Sequence, residues 1–129
     1  MPSPDERGSS RTRRSLELPA TTESPALGRR MARAALVEWG CARVVDVVLA
    51  VSELVTNAVM DAGSPPTLEL TFTSPGVRVE VHDSSHAIPV LNPAAITGGY
   101  GLRIVATVSD DWGWELTPTG KLVWATFGH

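Results

Sequence analysis

The stretch AVSELVTNAVMDAG, Ala50–Gly63, is built largely of valine, leucine and alanine, yet it carries Glu53 and Asn57 one helical turn apart. Residues four apart share a helix face, so the two polar groups project together. Upstream, Val44, Val47, Val48, Val51, Leu54, Val55 and Ala58 step by three and four. That spacing predicts a helix from near Ala42 with a wide apolar stripe against a core. Gly63-Ser64-Pro65-Pro66 then ends it. A polar pair on such a helix most often marks its solvated back. Asparagine in mid-helix costs a few tenths of a kcal/mol relative to alanine, which by itself is only suggestive.

Working outward, the other elements fall on both sides of this helix. SLELPA, from Ser15, alternates briefly with Leu16 and Leu18 on one side and predicts a short strand. Ser24-Pro25 reads as an N-cap followed by proline at the first helical position. The helix that follows lines one face with Leu27, Met31, Ala34, Ala35 and Trp39 until Gly40 stops it. Downstream, TLELTF and VRVEVHD alternate around the turn TSPG and predict an antiparallel hairpin. A sixteen-residue connection, SSHAIPVLNPAAITGG, has no steady period, and loops of that length in a compact domain are often functional. Helical character resumes at GLRIVATVSDD, and WGWELTPTGKLVWATF predicts a second hairpin turning through Pro118-Thr119-Gly120. The order predicts an α+β fold: a two-layer sandwich with helices on one face of a mixed, largely antiparallel sheet.

Bulk properties bound the function. The 129 residues suit one domain with a real core, and 43% hydrophobic and 19% charged content is ordinary for a globular protein. No window reaches the roughly 18 unbroken apolar residues of a membrane span. The first residues lack the apolar run of a secretory signal. Cys41 is the only cysteine, which excludes an internal disulfide and suits a reducing cytoplasm. Residues 1–14 hold four arginines against Asp5 and Glu6, a net of +2, and read as a disordered basic tail before a domain spanning 15–129. The overall charge of −3 therefore leaves the body at −5, a poor match to nucleic acid.

Two further stretches bear on Glu53 and Asn57. VEVHDSS puts Asp83 where a strand runs into the long loop. A carboxylate there suits an exocyclic amine such as adenine N6, although aspartate at a strand exit more commonly forms a turn. TGGYGLRIV puts Gly98, Gly99 and Gly101 immediately before a helix. Glycines let backbone N–H groups approach a phosphate, and the helix dipole favours an anion there. The spacing matches neither a P-loop nor a dinucleotide-binding fingerprint. His82 and His86 lack companions at zinc-ligand spacing.

In this order, SELVTNAVMDAG, VEVHDSS and GGYGLRIV resemble the N, G1 and G2 boxes of the GHKL (histidine-kinase-like) ATP-binding domain. LAVSELVTNAV, GGYGLRIVATVSDDWGW and GKLVWATF are similar to the small bacterial anti-sigma-factor serine/threonine kinases, over roughly Ser15 to Phe127. The resemblance implies ATP and Mg²⁺ as cofactors. It implies that Asn57 is the Mg²⁺ ligand, Glu53 the general base toward a substrate serine, and Asp83 the reader of adenine. It implies that Gly99 and Gly101, with Leu102 and Arg103 behind them, lie along the phosphates, and that 84–98 forms a lid over ATP. The implied activity is phosphorylation of an anti-anti-sigma antagonist, with a sigma factor as the alternate partner and a homodimer as the assembly. The other function class the sequence admits is a non-catalytic module of the same fold that sequesters a regulatory partner. Three positions depart from the pattern. Asp83-Ser84-Ser85-His86-Ala87 lacks the glycines usual after the G1 aspartate, Asp61 stands where relatives often have histidine, and Leu122 stands where many have a threonine near the adenine pocket. Leucine cannot donate that hydrogen bond, which predicts weaker nucleotide affinity.

Overall fold

The computed structural model describes residues 11–73, 76–86 and 99–128. Its elements are β1 (Arg11–Glu17), α1 (Ser24–Glu38), α2 (Val44–Ala62), β2 (Thr67–Thr73), β3 (Gly76–Asp83), α3 (Gly99–Val108), β4 (Asp111–Thr117) and β5 (Gly120–Phe127). The five strands form one sheet in the order β1-β2-β3-β5-β4, and every described pairing is antiparallel rather than mixed. The α+β two-layer expectation holds. Leu68 and Leu70, Val77, Val79 and Val81, and Val123, Ala125 and Phe127 alternate onto one face and are buried. The helices cover that face, with Val47, Val48, Val51, Leu54, Val55 and Ala58 of α2 at the centre of the core.

The first strand begins at Arg11, four residues before the expected start of the domain. Arg11, Thr12, Arg13 and Arg14, expected in a disordered tail, pair with Thr73 to Leu70 of β2. Arg13 and Arg14 meet Glu69 and Glu38, so their charge serves the strand rather than a solvated arm. Ser24 is the first residue of α1 rather than its N-cap, and its buried hydroxyl donates to the Pro19 carbonyl. The packed face of α1 is also rotated from the expected one. Gly28, Ala32, Ala35 and Leu36 are buried, whereas Ala34 is exposed and Leu27, Met31 and Trp39 are partly covered. Small residues win because α1 sits close on α2: a Cβ on Gly28 would lie 3.3 Å from Val51 Cγ1 and 3.4 Å from Val55 Cγ2. Trp39 instead stacks on Phe72, ring centroids 5.5 Å apart.

Arg43, just before α2, fixes the third helix. Its guanidinium donates to the Val108 carbonyl at 2.7 Å and to Asp110 at 2.7 Å, and it lies 5.4 Å from the Phe127 ring centroid. The C-terminus of α3 is thereby held at the N-terminus of α2, and the two helices run antiparallel. Gly63, in the left-handed region at φ 64°, ends α2 and turns the chain into β2. No helix among the described residues is long and apolar enough to cross a membrane.

Candidate functional site

Glu53 and Asn57 lie on α2 as the sequence predicts, both half-buried. Among the described residues neither side chain is engaged by another. Upstream on the same face, Ala50 is fully buried, and Leu49 lines a groove of about 500 Å³ with Arg103, Ile104, Thr107 and Val108 of α3. The face is therefore a helix–helix contact at one end and open polar surface one turn later. The antiparallel packing decides what stands opposite that surface. From Val108, held at Arg43, α3 runs back nine residues to Gly99, and at about 1.5 Å per residue that is some 13 Å. The same distance along α2 from Val44 reaches Glu53. By that arithmetic the first turn of α3, whose N–H groups have no partner within the helix and which carries the positive end of its dipole, falls at about the level of Glu53 along α2. Gly99 and Gly101 fall within that first turn rather than before it, since the helix starts at Gly99. Gly98 and the greater part of the expected lid, 87–98, lie outside the described residues.

The remaining expected residues separate. Leu102, grouped with the nucleotide-binding residues from sequence, is 3% exposed, and its side chain is part of the core. Only its backbone belongs to the first turn. Arg103 is exposed beside Leu49, about one turn from Glu53. Asp83 is the last residue of β3 and faces the helices at the sheet end, with a side chain 2% exposed. Its Oδ1 accepts the Ser85 N–H at 2.8 Å, so it does form the turn at the strand exit. It also has a partner that sequence reasoning missed. Lys121, its cross-strand neighbour on β5, is 3% exposed and places Nζ 3.2 Å from Oδ1 and 3.1 Å from Oδ2.

Lys121 is there because β5 alternates. Lys121, Val123, Ala125 and Phe127 share the helix-packed face, and a lysine in that series was the available signal. The same alternation corrects the expectation for Leu122, which pairs with His82 and lies on the opposite face of the sheet from Asp83. The residue beside the carboxylate is Lys121. Asp61, near the C-terminus of α2, stands 3.7 Å from the same ammonium. Gly120 allows the approach of the two strands: a Cβ there would fall onto the Asp83 carbonyl oxygen and 2.7 Å from Ser84 Cα. Ser64 and Ser84 join their hydroxyls across the same end of the sheet. The two histidines are held elsewhere, His82 by Glu80 at 3.0 Å and His86 by the Thr117 carbonyl at 3.1 Å.

The arrangement combines a carboxylate–amide pair that no other described residue engages, a helix N-terminus at about its level along α2, and a buried carboxylate at a strand exit. Comparison with known proteins places the chain in a family. A model of the histidine kinase-like ATPase domain matches residues 18–127. No curated protein matches the chain. Among solved structures, the RsbU and RsbW domains of Rv1364c from Mycobacterium tuberculosis align with a TM-score of 0.72 at 20% identity, over 91% of this chain and 32% of that one. At that identity the likeness is one of fold, and the chain spans about a third of the solved relative's length. With the family model covering nearly all of it, the chain belongs to the histidine kinase-like ATPase domain family.

Proposed function

We propose that the protein is an ATP-binding anti-sigma regulator with serine/threonine kinase activity toward an anti-anti-sigma antagonist. The observation that carries this reading is the half-buried Glu53–Asn57 face of α2, whose two side chains no other described residue engages. The donor set suits Mg-ATP. Asn57 supplies one neutral oxygen, compatible with a cation that keeps phosphate oxygens and water as its other ligands. When bound, Mg²⁺ neutralises charge on the phosphates. The α3 N-terminus holds the phosphate chain by backbone N–H groups and dipole, and Asp83 receives the exocyclic amine of the base. Glu53, one turn before Asn57, takes the proton of the substrate hydroxyl as the serine oxygen attacks the terminal phosphorus, the bond from that phosphorus to the bridging oxygen breaks, and ADP leaves with the electron pair. In this account a sigma factor is the partner held in the alternate state, and the RsbW domain of the solved relative supports that context by fold. Homodimerisation belongs to the same proposal.

The second reading, a non-catalytic module that sequesters a partner, is favoured by one observation: the carboxylate meant for adenine already holds Lys121. Phosphotransfer from labelled ATP to candidate anti-anti-sigma proteins separates the two. The kinase reading expects label on a substrate serine with wild type and none with Glu53→Ala, while Glu53→Ala still binds ATP. ATP binding without transfer to any candidate supports the module.

A further inference from the structure

The two edges of the sheet present different chemistry. β1 and β4 end the order β1-β2-β3-β5-β4, and among the described residues each is paired on one side only. An edge strand offers a row of N–H and C=O groups to another chain unless charge, proline or a bulge blunts it. β1 is blunted, with Arg11, Arg13 and Arg14 inside its short span. β4 holds no proline or basic residue, and its two carboxylates, Asp111 and Glu115, lie on the face away from the helices with Thr126 and Leu122. Its other face is wholly apolar: Trp112, Trp114 and Leu116, beside Ala125, Val123 and Lys121 of β5. Trp114 is 37% exposed and Leu116 53%, so two large apolar side chains of an edge strand stand in water.

We infer that β4 is the edge through which this protein self-associates, a second copy adding its own β4 antiparallel across a two-fold axis. The inference rests on the homodimer of the reading above and gives it a surface. An axis perpendicular to the sheet keeps like faces together, and full overlap of Asp111–Thr117 centres it on Trp114. Trp114 then meets Trp114 of the second copy, flanked on each side by Trp112 against Leu116. On the other face Asp111 meets Thr117 and Glu115 meets Gly113, so no two carboxylates are opposed. The same operation on β1 sets Arg14 against Arg14. Joining β1 antiparallel to β4 of the second copy sets Glu17 against Asp111 and leaves an open edge on every copy, which propagates instead of closing. Aromatic and apolar cross-strand pairs stabilise, and like charges directly opposite destabilise. Charge and closure therefore both select β4 with itself.

The test is analytical ultracentrifugation of the full chain from micromolar to millimolar concentration, on wild type, Trp114→Lys, Trp114→Glu and Leu116→Thr. Wild type should sediment as a dimer. Either Trp114 variant should weaken it at least about tenfold, since an aromatic pair gives way to like charges across the axis. Because Trp114 meets itself, an equimolar mixture of Trp114→Lys and Trp114→Glu should recover the dimer. Leu116→Thr should weaken the dimer several fold, because its pair with Trp112 occurs twice, and it decides the matter if the Trp114 variants do not fold. A dimer of unchanged strength in Leu116→Thr or in the folded Trp114 variants overturns the β4 interface and leaves homodimerisation standing. So does a mixture that stays monomeric, and wild-type species that grow beyond a dimer with concentration point to the mixed edges and overturn it too. A wild-type monomer at every concentration overturns this inference and the homodimer together, while ATP binding and phosphotransfer are read in separate assays.

Discussion

Replacing Lys121 by methionine keeps much of its stem and removes its charge, which isolates the electrostatic part of the sheet end. The Asp83 side chain is 2% exposed and accepts three contacts, two of them from Lys121. After Lys121→Met the Ser85 N–H is the one donor left among the described residues, and a buried carboxylate faces an apolar neighbour. Breaking a buried ion pair from one side costs about 3–5 kcal/mol, because the surviving charge is left uncompensated. For a domain of this size that is a fall in Tm of roughly 10–20 °C. Adding Asp83→Asn removes the stranded charge and retains an acceptor for Ser85, so the double variant should recover most of the loss. Urea unfolding of the wild type, both single variants and the double variant measures the coupling. A Lys121→Met protein within about 1 kcal/mol of wild type, the range of an exposed pair, would refute the claim that this pair is buried and closed.

Other consequences are equally direct. Gly120→Ala drives a Cβ into the Asp83–Ser84 backbone, so it should lower Tm and weaken ATP binding together; an unchanged melting curve would contradict the close strand approach. Leu54→Ala empties a site 2% exposed at the centre of α2 and should cost about 2–5 kcal/mol in denaturant unfolding. Burial pushes the Glu80 carboxyl up, but hydrogen bonds from Arg78 and His82 outweigh it and leave the group below its ordinary 4.5. The unfolded chain then binds that proton first, so stability falls as pH drops below about 4.5 toward the folded value. Glu80→Gln should flatten the slope in acid titrations followed by thermal melts.

The apolar periodicities of α2, β2, β3 and β5 were legible because each buries one face against the same core, and burial enforces the period. Glu53 and Asn57 were legible as a pair for the same reason: every other face of their helix was accounted for. The face of α1 was misread because hydropathy weights leucine, methionine and tryptophan, whereas close approach to α2 selects Gly28, Ala32 and Ala35. The arginines before Ser15 looked like a tail because a strand at a sheet edge tolerates charge and needs no alternation. Lys121 was passed over for Leu122 because a lysine reads as surface until its cross-strand partner is known, and that register is a long-range property. Asp61 gained a partner in the same way.

The measurement that tests the central claim most directly is calorimetric titration of wild type and Asn57→Ala with ATP, with and without Mg²⁺. The account predicts Mg-dependent binding to wild type and its loss in a folded Asn57→Ala protein. Equal affinity in the two proteins, or no heat and no thermal stabilisation of wild type at millimolar ATP, would contradict it.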